Sequence, residues 1–170
     1  MNIIVKPYGS NLCYCRPDTT WERENKDFYS PECVNEIYWT PVVFARVSKA
    51  GKCVGKKFVE RYYDGVGCGV LLYCGTSTTP CDGSAGVRSL SEVVDRSSIL
   101  PHPLFQPVVL EDEKEFAVGT KVAGTGSNAE ASVILSDSPV ILSEAKDLLE
   151  EALCKASELT SLRIGDFIAV

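Results

Sequence analysis

Ile37-Tyr-Trp-Thr-Pro-Val-Val-Phe-Ala-Arg-Val47 is apolar on both faces and rich in β-branched and aromatic residues. A run of this kind reads as a central strand covered on both sides. Gly51-Lys52 turns the chain, and Lys57-Phe-Val-Glu-Arg-Tyr-Tyr-Asp64 follows, with Phe58, Tyr62 and Val66 at helical spacing. Val66-Gly-Cys-Gly-Val-Leu-Leu-Tyr-Cys74 is a second buried run, and Cys81-Asp-Gly-Ser-Ala85 is a tight turn. Neither strand carries a polar group suited to catalysis, so the pair reads as scaffold.

On the N-terminal side, Asn2–Val5 and Leu12–Arg16 read as short strands. The polar stretch Trp21–Glu36 reads as surface loop around a short strand at Phe28-Tyr29. On the C-terminal side, Leu90–Leu104 is a loop or short helix closed by Pro101 and Pro103. Pro107–Leu110 and Glu115–Val118 suggest a hairpin across the acidic turn Glu111–Lys114. Gly124-Thr-Gly-Ser127 is too short for a phosphate loop, since no Gly-Lys-(Ser or Thr) leads into a helix. Ala131–Leu135 and Pro139–Leu142 are expected to pair as strands. Ser143 is suited to cap a helix whose apolar stripe runs from Ala145 to Leu159. Phe167–Val170 is a last apolar strand, which the rest of the fold or a second subunit must cover.

Length and composition bound the function. The chain of 170 residues suits one domain with a substantial core, and 45% hydrophobic and 24% charged residues are ordinary for a soluble globule. A net charge of −6 argues against nucleic acid or an anionic membrane as partner. No run is long enough to span a bilayer and the N-terminus lacks signal-peptide features, so a cytoplasmic protein is expected. The eight cysteines include one C-x-C and no C-x-x-C, and read as reduced structural thiols rather than a zinc site. The single histidine, His102 between prolines, supports neither a Ser-His-Asp nor a Cys-His triad.

The order and spacing of these segments resemble the C-terminal catalytic domain of the fumarylacetoacetate hydrolase (FAH) family, in particular its short bacterial members. Ile37, Arg46, Gly51-Lys52, Phe58, Arg61-Tyr62-Tyr63-Asp64, Gly69-Val70 and Asp82-Gly83-Ser84-Ala85 fall in register with that family's motifs. Arg16-Pro-Asp18 resembles its Lys-(Ala or Pro)-Asp, and Leu162-Arg-Ile-Gly-Asp166 its Leu-Lys-x-Gly-Asp. The resemblance covers most of the chain and is thin between Arg88 and Val140. It implies an α+β, mainly β fold: a mixed β-roll or β-sandwich with a few peripheral helices. It also implies a homodimer.

The departures fall where the family's chemistry sits. Two glutamates and an aspartate there bind Mg²⁺, Mn²⁺ or Ca²⁺, cations that take oxygen ligands. The matching positions here are Thr40, Val42 and Leu71, and the family lysine falls near Thr79. The loop bearing the histidine base and the closing Gly-Thr-Pro loop have no counterpart. The expectation is a catalytically dismantled relative with no cofactor, which keeps the fold as a binding or assembly module. The alternative is a divergent hydrolase or isomerase of small keto acids, recruiting Glu36, Glu60 or Asp82 into a rebuilt site. Asp64 and Asp82 are otherwise expected to cap turns.

Overall fold

The computed structural model describes residues 1–24, 26–32, 34, 36–75, 92–112, 116–118, 140–142 and 145–170. Its centre is the antiparallel pair β4 (Glu36–Val47) and β5 (Tyr63–Gly75), with Thr40 opposite Leu71, Val42 opposite Gly69 and Phe44 opposite Gly67. Because opposed residues share a face, one side of the pair presents Thr40, Val42, Phe44 and Leu71, and the other presents Val43, Ala45 and Val47.

Five shorter strands complete the sheet: β1 (Asn2–Val5), β2 (Tyr14–Pro17), β3 (Trp21–Glu22), β6 (Ser98–Ile99) and β9 (Phe167–Ala169). The order across it is β2-β1-β9-β4-β5-β6-β3. Its two edge strands, β2 and β3, are consecutive in sequence, and only the 3₁₀ turn Asp18–Thr20 separates them. The sheet therefore curls until its edges meet. The result is a mainly β, nearly closed roll with few helices.

Apolar side chains fill both faces of the curl. Outside, the helix Ala145–Leu159 (α1) lays Ala145, Leu149, Ala152, Leu153 and Ala156 against Ile4, Val43, Ala45 and Ile168. The expected stripe ends at Ala156, since Leu159 lies exposed. Inside, Ile3, Val5, Val42, Phe44, Leu71, Leu100, Phe167 and Ala169 form a second cluster. Asp166, fully buried, ties the C-terminal turn to the N-terminal strand: its carboxylate accepts from the Asn2 amide at 2.7 Å and the Arg163 amide at 2.8 Å.

Several expectations are corrected. The Phe58/Tyr62/Val66 spacing yields only the 3₁₀ helix Lys56–Arg61, and β5 already begins at Tyr63. Tyr62 and Tyr63 share the junction, where Tyr63 is buried and Tyr62 half-buried. Phe28-Tyr29 is not a strand. Val109–Asp112 is a helical turn, and Phe116–Val118 (β7) pairs instead with Val140–Leu142 (β8). The entry half of β4 is not buried, for Ile37, Tyr38 and Thr40 are exposed. The terminal strand β9 lies between β1 and β4 and is fully covered by its own chain, so it needs no second subunit. Ser143, the expected cap, and Ala131–Leu135 lie outside the described residues.

Candidate functional site

The inner face of β4 and β5 brings Thr40, Val42 and Leu71 together. Thr40 and Leu71 are direct cross-strand partners, and Val42 is the next inward residue on β4. Their environment is hydrocarbon, and only Thr40 reaches solvent. Val42 is 3% exposed and Leu71 is fully buried, both packed with Phe44, Leu100 and Phe167.

Two glycines of β5 let this packing close. An added Cβ at Gly67 would lie 2.7 Å from the Phe44 ring, and one at Gly69 would collide with the Ile99 carbonyl. Phe44 therefore crosses the sheet over Gly67, while the backbone leading to Leu100 presses onto Gly69. An aromatic group seals the cluster: Trp21 packs edge-on to Phe167 at 5.1 Å, Phe44 meets Phe167 at 5.4 Å, and the exposed His102 ring lies 5.5 Å from Trp21. The Trp21 indole donates to the Leu100 carbonyl at 3.1 Å.

These side chains do not fit a divalent cation. Mg²⁺, Mn²⁺ and Ca²⁺ require several oxygen ligands, and Val42 and Leu71 offer none. Among the described residues, no three His, Cys, Asp or Glu side chains converge to hold a metal. Glu60 is engaged with Lys146 of α1 at 2.9 Å, on the opposite face of the sheet. Asp64 does not cap the Tyr-Tyr-Asp turn; it lies in β5 and accepts from the Arg46 guanidinium across the strand pair at 2.9 Å. Arg61 stacks its guanidinium over the Phe58 ring at 5.7 Å. Thr79, Asp82, Gly83 and Ser84 lie outside the described residues, as does the side chain of Glu36.

The polar groups along the inner face come from β2 and from Tyr73 of β5. Tyr14 and Tyr73 share a hydroxyl–hydroxyl hydrogen bond of 2.5 Å across the roll, with Tyr73 two residues beyond Leu71 on the same face. Burial, followed by that bond, holds the Tyr14 hydroxyl protonated far above the ordinary tyrosine range. Next to the pair lies Arg16, fully buried, with its guanidinium 5.1 Å from the Tyr73 ring centre. Arg16 donates to the carbonyls of Leu72 at 2.5 Å and Ser97 at 3.2 Å, and to the hydroxyls of Ser97 at 3.2 Å and Ser98 at 3.1 Å. Burial lowers its pKa, while Tyr14, Tyr73 and Glu92 act in the opposite sense. Arg16 thus staples edge strand β2 to the β5–β6 side and closes the seam. The sequence signal was the Arg-Pro-Asp motif, but its partners lie about fifty to eighty residues away.

No protein-family profile and no curated protein matches the sequence. Solved structures do match. The fumarylpyruvate hydrolase from Pseudomonas aeruginosa, in complex with Mn²⁺ and pyruvate, aligns with a TM-score of 0.66 at 13% identity, over 98% of this chain and 82% of that one. The chain has the fold of FAH domains. A 5-carboxymethyl-2-hydroxymuconate delta-isomerase from Mycobacterium smegmatis aligns at 0.67 with 15% identity, over 99% of this chain and 66% of the isomerase. For the maleylpyruvate hydrolase from Sphingobium the values are 0.61 and 12%, over 99% and 57%. At such identities the FAH fold is shared, and the chemistry must be read from the residues in place.

Proposed function

We propose that this chain is a non-catalytic variant of the FAH fold, acting in the cytoplasm as a binding or assembly module. One observation carries the reading. Thr40, Val42 and Leu71, which the sequence resemblance sets at the family's carboxylate positions, lie together on the inner face, and Val42 and Leu71 are packed into the apolar interior. A site that must neutralise and orient an oxyanion has no charge to do so at these positions.

The test is twofold. Thermal unfolding of the wild type should be indifferent to added Mn²⁺ or Mg²⁺, because only a ligand bound by the native state raises its stability. Incubation with an acylpyruvate should give no cleavage above the uncatalysed rate. Metal-dependent turnover would overturn the proposal. A homodimer remains part of this reading, supported by the resemblance alone now that β9 is covered; light scattering at micromolar concentration tests it.

The Tyr14–Tyr73 pair favours a second reading, a divergent hydrolase or isomerase of small keto acids. Two bonded phenols leave one O–H free to donate to a substrate oxygen. In that case metal-independent turnover should occur and should fall sharply in Tyr73→Phe.

A further inference from the structure

Charge is segregated along this chain. Between Arg46 and Arg61 stand six of its 17 lysines and arginines, with Glu60 as the single acid. The chain as a whole nevertheless carries −6. The fold gathers this segment at one end of the roll, where the β4–β5 connection meets the α1–β9 loop. Gly51 and Leu162 exchange backbone hydrogen bonds of 3.2 and 2.8 Å, and the Cys53 amide donates to the Ser157 carbonyl at 2.9 Å.

Among the described residues, the acids of this segment and its surroundings are already occupied. Glu60 pairs with Lys146, Asp64 with Arg46 and Glu158 with Lys155, at 2.8 to 2.9 Å. Lys49, Lys52, Lys56, Lys57 and Arg61 are exposed and form no ion pair among the described residues. Three apolar side chains protrude at the same end, with Phe58 53%, Leu159 56% and Ile164 71% exposed.

We propose that this end docks on an anionic lipid bilayer, with Phe58, Leu159 and Ile164 entering the headgroup boundary and the lysines lying over the charged headgroups. Composition decides among polyanions. Protein interfaces are depleted in lysine and enriched in arginine, whereas lysine clusters beside apolar side chains suit a fluid anionic surface. A nucleic-acid backbone would make no use of Leu159 and Ile164. The acids elsewhere on the chain do not cancel the patch, because physiological salt screens charges beyond about 8 Å. The inference is independent of whether the roll interior binds anything.

Co-sedimentation with phosphatidylcholine vesicles, with and without one third phosphatidylserine, tests it. The wild type should pellet with the anionic vesicles alone and be released by high salt. Lys52→Ala with Lys57→Ala should weaken binding roughly 25-fold, at about five-fold per lysine. Lys52→Glu, Lys56→Glu and Lys57→Glu together should abolish it. Phe58→Ser with Ile164→Ser should weaken vesicle binding while leaving the charge intact. Wild-type protein that stays in the supernatant with anionic vesicles overturns the proposal. So does a Phe58/Ile164 variant that binds vesicles as the wild type does, since the patch would then be a general polyanion site, and a single-stranded oligonucleotide should bind equally well.

Discussion

Replacing Arg16 by methionine tests the closure of the roll. Methionine fills much of the volume of the aliphatic stem and removes every donor at the seam. Ser97 Oγ still donates to the Val94 carbonyl, Ser98 Oγ keeps Thr20, and the Ser97 carbonyl keeps the Leu72 amide. The Leu72 carbonyl loses its charged donor, at a cost of about 1–3 kcal/mol for a buried acceptor left short. The two hydroxyl bonds add about 1 kcal/mol each. Relief from burying a cation offsets part of this sum, as it does when buried charges are replaced by hydrocarbon. The expected net loss is about 3 kcal/mol, a large share of the roughly 5–15 kcal/mol that holds a domain folded. With slopes of about 1–3 kcal/mol/M, the urea midpoint should fall by at least about 1 M. Arg16→Lys should lie between, because one ammonium cannot reproduce the fork that bonds Leu72, Ser97 and Ser98 at once. A methionine variant within about 0.5 kcal/mol of the wild type would refute the role of Arg16 in closing the roll.

Other outcomes follow from the same packing. Thr40→Glu, Val42→Glu and Leu71→Asp together should lower the melting temperature in chelator and regain it with Mn²⁺; a melting temperature blind to metal would show that the three positions do not converge as the register places them. Gly69→Ala should cost about 1–3 kcal/mol by driving a methyl group into the Ile99 carbonyl, and an unaffected urea midpoint would contradict that close approach. Glu150, on the buried face of α1, accepts from the Tyr63 hydroxyl at 3.1 Å. Its pKa is raised mainly by burial, with Tyr63 and Lys146 opposing. The folded state therefore keeps this proton longer than the unfolded one, so stability present below about pH 4.3 is lost as pH rises through the raised value. Glu150→Gln should consequently melt higher than wild type at neutral pH, with the two curves converging below about pH 4; parallel curves across the range would refute it.

What the sequence made legible follows the range of the interactions. Ile37–Val47 and Val66–Cys74 read as strands because their cores pack on both faces. The aligned positions Thr40, Val42 and Leu71 meet because an antiparallel register follows from the hydrophobic pattern. The hairpin expected at Pro107–Val118 failed for the opposite reason. β7 holds three residues, and its partner β8 begins more than twenty residues later, so local turn chemistry pointed to the wrong neighbour. The partners of Arg16 and the Tyr14–Tyr73 contact were invisible for the same reason, being brought together only when the sheet curls. The glycines of Val66-Gly-Cys-Gly were read as part of a buried run, although their alternation marks where the Phe44 ring and the Ile99 backbone approach. Net charge is a sum without positions, and a total of −6 averages over a stretch that carries an excess of cations.

Hydrocarbon at positions 42 and 71 has a direct energetic reason. An acid at position 42 or 71 would face Phe44, Leu100 and Phe167, and the Trp21 indole there is already bonded to Leu100. Burying a carboxylate in such surroundings costs several kcal/mol unless a cation or hydrogen-bond donors compensate, and a bound metal is one such compensation. Arg16 is no substitute, because its guanidinium is engaged by Leu72, Ser97 and Ser98 at the seam. Hydrocarbon at these positions removes the need for compensation and adds packing with Phe44 and Phe167. Each buried aliphatic side chain contributes about 1.5–3 kcal/mol relative to an exposed one. With hydrocarbon at Val42 and Leu71, packed against Phe44, Leu100 and Phe167, the inner face needs no compensating ion at these two positions.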